Sequence, residues 1–247
     1  MRPGADDAGC FPTGRHYPGI AHLLRVVAAG LADEWDGEHR MDNLPLVAID
    51  TELTGLDPQL DRIIEIACVV RDNGQVSRHH WLVNPGRPIP QAAFEVHGIG
   101  DEDVADKPSF SEIAAELLAV LGRGVPVAYN ADFDRKVLSS ELARCGPLEC
   151  SPPAARRNVE WLDPLIWARE LHRMEKGKSL SEVCARLGIE VERAHRAVDD
   201  AEAALRVMLT FSVDPRVPKT YAAFIQEQKR LGRVYADERR FWRGKPS

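Results

Sequence analysis

The stretch Leu46-Val-Ala-Ile-Asp-Thr-Glu52 places two carboxylates at the end of an apolar run. The run predicts a buried strand, and side chains two positions apart on a strand point to the same face. Asp50 and Glu52 should therefore lie side by side and repel each other. A divalent cation removes this repulsion because hard cations such as Mg²⁺ bind oxygen ligands. The alternative is a strand that simply ends in the polar turn Thr54-Gly-Leu-Asp-Pro58.

The composition is that of an ordinary globular protein. The chain has 247 residues, of which 44% are hydrophobic and 28% are charged, enough for one sizeable domain with extensions or for two small domains. Its net charge of −6 neither indicates nor excludes nucleic-acid binding. Five cysteines are scattered without the close pairs of a zinc site, and Cys68 and Cys184 lie in apolar patterns typical of a core. These features predict a cytoplasmic protein, and no apolar run is long enough to predict a membrane span.

Three segments are predicted along the chain. Residues 1–43 form an extension with apolar residues at the spacing of an amphipathic helix: Ile20, Leu23, Leu24, Val27 and Leu31. Residues 44–212 form an α/β domain. Residues 213–247 form a helical tail with nine Lys or Arg against four Asp or Glu. Its end, Arg239-Arg-Phe-Trp-Arg243, suits either single-strand binding by charge and stacking or a helix docked on the domain, and both interpretations stay open.

The α/β domain should be built on a mixed central sheet. Apolar and alternating runs predict strands over 46–50, 62–70 and 75–83, with a hairpin turn at Asp72-Asn-Gly74. A buried fourth strand over 125–129 follows. Capping boxes and helical spacing predict helices over residues 109–121, 133–145, 163–172, 179–187 and 196–209. Three leading antiparallel strands followed by alternating elements predict a mixed sheet with flanking helices.

Two further segments carry carboxylates next to predicted helix starts. Asp132 and Asp134 follow the fourth strand, and sites form at the C-terminal ends of strands in α/β sheets. Either residue could instead cap the helix. His195 precedes Asp199 and Asp200, and Asp199 shares its face only if His195 is itself helical. These two acids could also simply complement the helix dipole, so the residues alone leave the choice open.

Together, these segments resemble a known family. Asp50-x-Glu52, Asn130-Ala-x-Phe-Asp134 and His195-x-x-x-x-Asp200 occur in the order and spacing of the DEDDh 3′–5′ exonucleases. Ile49-Asp-Thr-Glu-Leu-Thr-Gly-Leu56 is similar to the first motif of that family, and the stretch 178–189 resembles the helix before its last motif. The resemblance covers residues 44–212 and is strongest to the epsilon-type proofreading exonucleases of bacterial DNA polymerase III.

The resemblance implies a ribonuclease H-like fold and a two-metal site. It assigns the metal ligands to Asp50, Glu52, Asp134 and Asp200, and the general base to His195. Two divalent metal ions, Mg²⁺ or Mn²⁺, are the implied cofactors. The implied reaction is the hydrolytic release of nucleoside 5′-monophosphates from a 3′ end.

The resemblance also places substrate contacts beside the first motif. The residues expected to border the terminal nucleotide are Leu53, Thr54, Leu56, His97, Asn130 and Phe133. Core packing is the alternative role for Leu56 and Phe133. Leu53 stands where the family usually has Thr, and Tyr129 stands where His often precedes the Asn. Neither departure touches an implied ligand, so both concern substrate preference.

The sequence leaves the substrate and the partner open. Single-stranded or frayed DNA with a free 3′ end is the favoured substrate, and RNA is the first rival. A polymerase or a repair protein is the expected protein partner, and no membrane role is expected. Two rival functions belong to other classes, a phosphatase with Asp50 as nucleophile and a non-catalytic nucleic-acid or partner-binding module. The phosphatase leaves the segment at His195 without a role, and the non-catalytic module leaves all five site residues without one.

Overall fold

Strand β1 (Leu46–Leu53) lies in the interior of a four-stranded sheet in a computed structural model of the protein. It pairs antiparallel with β2 (Ile63–Asp72) and parallel with β4 (Val125–Val127). Strand β3 (Gln75–Leu82) pairs antiparallel with β2, which gives the order β3–β2–β1–β4. The predicted mixed sheet with three leading antiparallel strands is confirmed.

Helices flank this sheet within the described residues, which are 30–147, 151–191 and 195–243. Their bounds are α1 (Gln91–His97), α2 (Asp101–Val104), α3 (Phe110–Leu121), α4 (Ala131–Cys145), α5 (Pro164–Leu171), α6 (Leu180–Leu187), α7 (Ala197–Val213) and α8 (Tyr221–Arg243). The sequence analysis missed α1 and α2. A proline-rich stretch precedes α1, and Pro90 forms its N-cap, where a missing N–H group is tolerated.

Strand β1 runs to Leu53, so Asp50 and Glu52 both belong to it. Its buried residues alternate between two hydrophobic clusters, one on each face of the sheet. The two faces of the sheet are covered by different helices. Ala48 packs in the cluster that includes α7 and α8, whereas Ile49 packs in the cluster that includes α3 and α4. The two carboxylates continue the face of Ala48, and helix α7 covers that face.

The C-terminal tail is docked on the domain as helix α8. Phe224 packs against Trp167 with 4.7 Å between the ring centroids, and the Tyr221 hydroxyl accepts a hydrogen bond from the backbone N–H of Ala32 at 3.0 Å. No helix within residues 30–147, 151–191 and 195–243 has the length and apolarity needed to cross a membrane.

Two expectations about the ends of the chain lie outside the described residues. One is the amphipathic helix in the extension, because residues 1–29 are not described. The other is single-strand binding by the basic end of α8, where the undescribed side chains are Arg239, Phe241, Trp242 and Arg243. Both expectations, and the division of the chain into three segments, stay predictions.

The pairing of β1 with β4 depends on a glycine. A Cβ atom at Gly124 would lie 2.8 Å from the backbone N and C atoms of Leu46, closer than such atoms can approach. We expect Gly124→Ala to lower the free energy of unfolding by about 1–3 kcal/mol because the paired strands must shift apart. Urea denaturation measures this change. Gly122→Ala is the control, since its added Cβ would meet nothing closer than 3.6 Å, and equal losses in both variants would contradict the explanation.

Candidate active site

Two carboxylates of the candidate site project from β1. In the register with β2, Asp50 lies opposite Ala67, and Glu52 lies opposite Glu65. The register shifts directly after Glu52, between Glu52 and Leu53. Both side chains are partly buried at this end of the sheet. The sequence prediction that they lie on one face agrees with the alternation of the buried residues along β1.

A third carboxylate, Asp134, comes from the first turn of α4. It is buried, with 5% of its surface exposed, and it accepts a hydrogen bond from the Thr51 hydroxyl at 2.9 Å. The cap that the sequence suggested for Asp132 or Asp134 is supplied instead by Asp163. The Asp163 carboxylate accepts hydrogen bonds from the backbone N–H groups of Asn130 at 3.0 Å and Ala131 at 3.2 Å.

The fourth carboxylate, Asp200, lies in the first turn of α7. Its Oδ2 atom accepts a hydrogen bond from the backbone N–H of His195 at 2.9 Å. His195 is exposed and precedes the helix with a left-handed φ of 63°, so the face-sharing argument for Asp199 does not apply. Ligand atoms of Glu52, His195 and Asp200 all lie within 4.8 Å of one another.

Glu65 is a buried carboxylate that the sequence analysis missed. Its side chain accepts hydrogen bonds from the Arg196 guanidinium, the closest at 2.7 Å, and from the backbone N–H of Ala197 at 3.1 Å. The Nε2 atom of His80 lies 2.6 Å from Glu65 Oε1. Burial raises the pKa of Glu65, but the hydrogen bonds from His80, Arg196 and Ala197 outweigh it and lower that pKa to about 2. Glu65 thereby anchors the start of α7, next to His195.

A sequence signal for Glu65 does exist. It interrupts a strand whose other residues from Ile63 to Val70 are apolar and buried. A charged side chain in such a strand requires a partner, because an unpaired buried charge is very costly. This pattern predicts that Glu65 has a partner but does not identify it, because Arg196 is 131 residues away in the sequence.

Burial opposes the ionisation of the four site carboxylates, and crowding adds to this effect at Asp50 and Glu52. Burial, followed by the charges of Asp134, Asp200 and Glu52, raises the pKa of Asp50 well above its usual range. Burial also raises the pKa of Glu52 to about 7, with Glu65 and Asp200 adding to the effect. The pKa values of Asp134, at about 7, and of Asp200 are raised mainly by burial. A set of crowded carboxylate oxygens beside an imidazole fits hard divalent cations, which would relieve the repulsion.

An apolar cleft of about 370 Å³ adjoins Glu52. Its lining includes five of the six expected substrate contacts: Leu53, Thr54, Leu56, His97 and Phe133. Leu56 is 89% exposed, so core packing does not explain this residue, whereas Phe133 both lines the cleft and packs against the core. Asn130 lies outside the lining, at the N-cap of α4. The buried His97 accepts a hydrogen bond at Nδ1 from the backbone N–H of Ile99 at 3.1 Å.

Comparison with known proteins gives the family. The model of the RNase T exonuclease family matches residues 47–208. DNA polymerase III subunit epsilon of Treponema pallidum is 32% identical over 172 residues, which cover 68% of this chain and 77% of that protein. The PolC-type DNA polymerase III of Thermotoga petrophila is 37% identical over 171 residues, but this chain spans only 12% of its length. The chain therefore belongs to the RNase T family of exonucleases, and the predicted resemblance to 3′–5′ exonucleases is confirmed.

Solved structures agree with this assignment. Exonuclease X, solved in complex with 5′ overhanging duplex DNA, is 31% identical and has a TM-score of 0.52 over 68% of this chain and 92% of that chain. Exonuclease I of E. coli, solved in complex with a dT13 oligonucleotide, is 19% identical and has a TM-score of 0.60 over 69% of this chain and 41% of that chain. At that identity, the second likeness shows the fold alone, and it confirms the predicted ribonuclease H-like architecture.

The raised pKa values predict how stability depends on pH. Between about pH 4.5 and pH 7 the folded protein holds protons on Glu52 and Asp134 that the unfolded chain has released, so the free energy of unfolding falls as the pH rises through this window. Calorimetry in a chelator should therefore show greater stability near the lower end of the window. Asp134→Asn should flatten the slope, and Asp132→Asn, at an exposed position, should not. Stability that increases with pH across this window would contradict the crowding of the site.

The anchoring role of Glu65 predicts a loss of stability on neutralisation. Glu65→Gln keeps an acceptor oxygen but removes the charge that pairs with Arg196, so we expect the free energy of unfolding to fall by about 1–3 kcal/mol. Chemical denaturation measures the loss. Glu38→Gln, at an exposed position, is the control and should change stability by less than about 0.5 kcal/mol. A loss for Glu65→Gln as small as that of the control would contradict the anchoring role.

Proposed function

We propose that the protein is a metal-dependent 3′–5′ exonuclease that releases nucleoside 5′-monophosphates from DNA. One observation carries the proposal. Carboxylates from β1 and α7 lie within 4.8 Å of an imidazole nitrogen of His195 beside an apolar cleft, and the charge of Asp134 from α4 raises the pKa of Asp50, in a chain of the exonuclease family. The proposal assigns Asp50, Glu52, Asp134 and Asp200 as metal ligands.

The proposed ligands would hold two divalent cations, Mg²⁺ or Mn²⁺. Cations bound there would stabilise the charge that develops on the attacking and leaving oxygens during phosphodiester hydrolysis. The fit rests on the donor set, since the raised pKa values of Asp50 and Glu52 reflect burial and crowding that added positive charge would relieve. Four carboxylates from three elements allow both cations to be held from more than one side.

His195 is the proposed general base. A neutral imidazole accepts a proton near neutral pH, and the exposure of His195 leaves its ring accessible to the attacking water. Its backbone is held by Asp200, and the next residue, Arg196, is held by Glu65. The ring is therefore attached to a fixed stretch of backbone, which favours proton transfer at a defined position.

The cleft is the proposed site of the terminal nucleotide. Leu56 and Phe133 would contact the base or the sugar, and the cleft opens directly beside Glu52. The other proposed contacts are Leu53, Thr54, His97 and Asn130. An exposed leucine at the mouth of an apolar cleft is well placed to gain buried area when a ligand binds.

The relatives support DNA as the substrate and a polymerase as the partner. The relative from Treponema pallidum is a subunit of DNA polymerase III, and exonuclease X was solved with duplex DNA. We extend both properties to this chain as part of the proposal. An exoribonuclease of the same superfamily is the remaining rival, because the chemistry at the phosphate is shared and only the contacts to the 2′-hydroxyl differ.

The test is the release of mononucleotides from 3′-labelled single-stranded DNA. We expect Asp50→Ala to abolish it, and His195→Ala to lower kcat by a factor of about 10²–10⁴, the typical contribution of a general base. Chromatography identifies the product, and a chelator should stop the reaction in the unaltered protein. Asp132→Asn, at an exposed position next to the site, is the control and should retain activity.

The same assay separates the rival functions. Faster release from single-stranded or mismatched DNA than from short RNA supports the proposal, and the reverse order would identify an exoribonuclease. Full activity in both Asp50→Ala and His195→Ala would contradict the assignment of the site. An unaltered protein that binds DNA without metal-dependent hydrolysis would indicate the non-catalytic alternative.

A further inference from the structure

We propose that the C-terminal helix α8 positions the start of α4, and with it Asp134, through a contact between Gln228 and the segment 161–163. The functional part of this inference rests on the proposed role of Asp134 as a metal ligand. Helix α8 lies beyond residues 47–208, which match the family, so this contact joins a residue outside the matched region to a segment inside it. Gln228 would be a positioning residue.

Gln228 uses both ends of its amide to hold one short segment. It is 1% exposed, its Oε1 atom accepts a hydrogen bond from the backbone N–H of Asp163 at 2.9 Å, and its Nε2 atom donates to the backbone carbonyl of Trp161 at 2.8 Å. A buried amide with both a donor and an acceptor paired fixes its neighbours, because any shift leaves a polar group unsatisfied. The backbone on either side of Leu162 is therefore attached to α8.

Asp163 passes this constraint on to α4. Its carboxylate, 7% exposed, accepts hydrogen bonds from the backbone N–H groups of Asn130 and Ala131, and from that of Leu165 at 2.9 Å. One side chain thus caps α4 and α5 together. These bonds supply partners for N–H groups that a helix start leaves without any.

The start of α4 needs such support. Asn130 has a φ of 68°, a left-handed conformation that is uncommon outside glycine, although asparagine adopts it more readily than most residues. Its own side chain does not cap the helix. Asp134 lies in the first turn, so a shift in the start of α4 moves its carboxylate relative to Asp50 and Glu52. A change at Gln228 therefore reaches the site although the residue touches none of the proposed ligands.

Apolar packing docks α8 independently of Gln228. The buried apolar residues of this helix are Tyr221, Ala222, Phe224, Ile225, Leu231 and Tyr235. Replacing Gln228 by methionine, which has similar length and is apolar, removes both hydrogen bonds and keeps the packing. The matched control is Gln226→Met, because Gln226 is exposed on the same helix.

Hydrogen exchange of the full chain, followed by mass spectrometry, tests the coupling. We expect Gln228→Met to speed exchange in peptides spanning residues 129–134 by about 10-fold, with peptides from α3 unchanged. Mn²⁺ titration calorimetry should show several-fold weaker binding, and kcat should fall by about 10-fold with a smaller change in KM. Gln226→Met should match the unaltered protein in all three measurements.

Unchanged exchange over residues 129–134 in a folded Gln228→Met protein would overturn the proposal. If that variant does not fold, Gln228→Asn gives the same test, because its amide is one methylene too short to reach both backbone partners. Exchange is measured without substrate or metal, so the coupling is judged even if the exonuclease assay fails. Conversely, normal exchange in Gln228→Met leaves the proposed exonuclease function intact.

Discussion

The burial of neighbouring carboxylates at one end of β1 is the constraint on which the rest of the site depends. Asp50, Glu52, Asp134 and Asp200 come from three elements, and burial with neighbouring charge raises the pKa of each. Such groups would move apart if their backbones were free to do so. The hydrophobic clusters on both faces of the sheet hold β1 in place, and the two helices that carry the other carboxylates are held at their first residues.

Two further buried carboxylates hold the starts of these two helices in place. Glu65 binds the start of α7, and Asp163 binds the start of α4. In each case the helix follows a residue other than glycine with a left-handed φ, 63° at His195 and 68° at Asn130. The same local arrangement therefore occurs twice. A residue with a left-handed backbone precedes a helix, and a carboxylate distant in the sequence caps the start of that helix. Strain of this kind persists where the surrounding structure determines the backbone.

Features that depend on local sequence could be predicted. The apolar run predicted the strand that carries Asp50, although the strand continues to Leu53 and so includes Glu52. The capping boxes at Ser109 and Ser179 form because each serine and its glutamate are three residues apart. The choice of Asp134 over Asp132 came only from the family resemblance. Neighbouring acids at a helix start have the same local pattern, so the sequence around them does not show which one faces the sheet.

Features that depend on long-range contacts could not be predicted. Arg196 is 131 residues from Glu65, and Gln228 is 65 residues from Asp163. A glutamine inside a basic helix looks like a surface residue until the tertiary fold buries it. The helix predicted over 196–209 left His195 just before it, and α7 begins at Ala197, but the bond from the backbone N–H of Ala197 to Glu65 could not be read from local spacing.

The docking of α8 extends the hydrophobic core beyond the region that the family shares. A fragment ended at residue 212 would lack Phe224 and Gln228, which would expose the ring of Trp167 to water and leave the backbone carbonyl of Trp161 without its partner. Domain limits drawn from family similarity would therefore cut through the hydrophobic core of this protein. Within the described residues, the core continues along α8 as far as Tyr235.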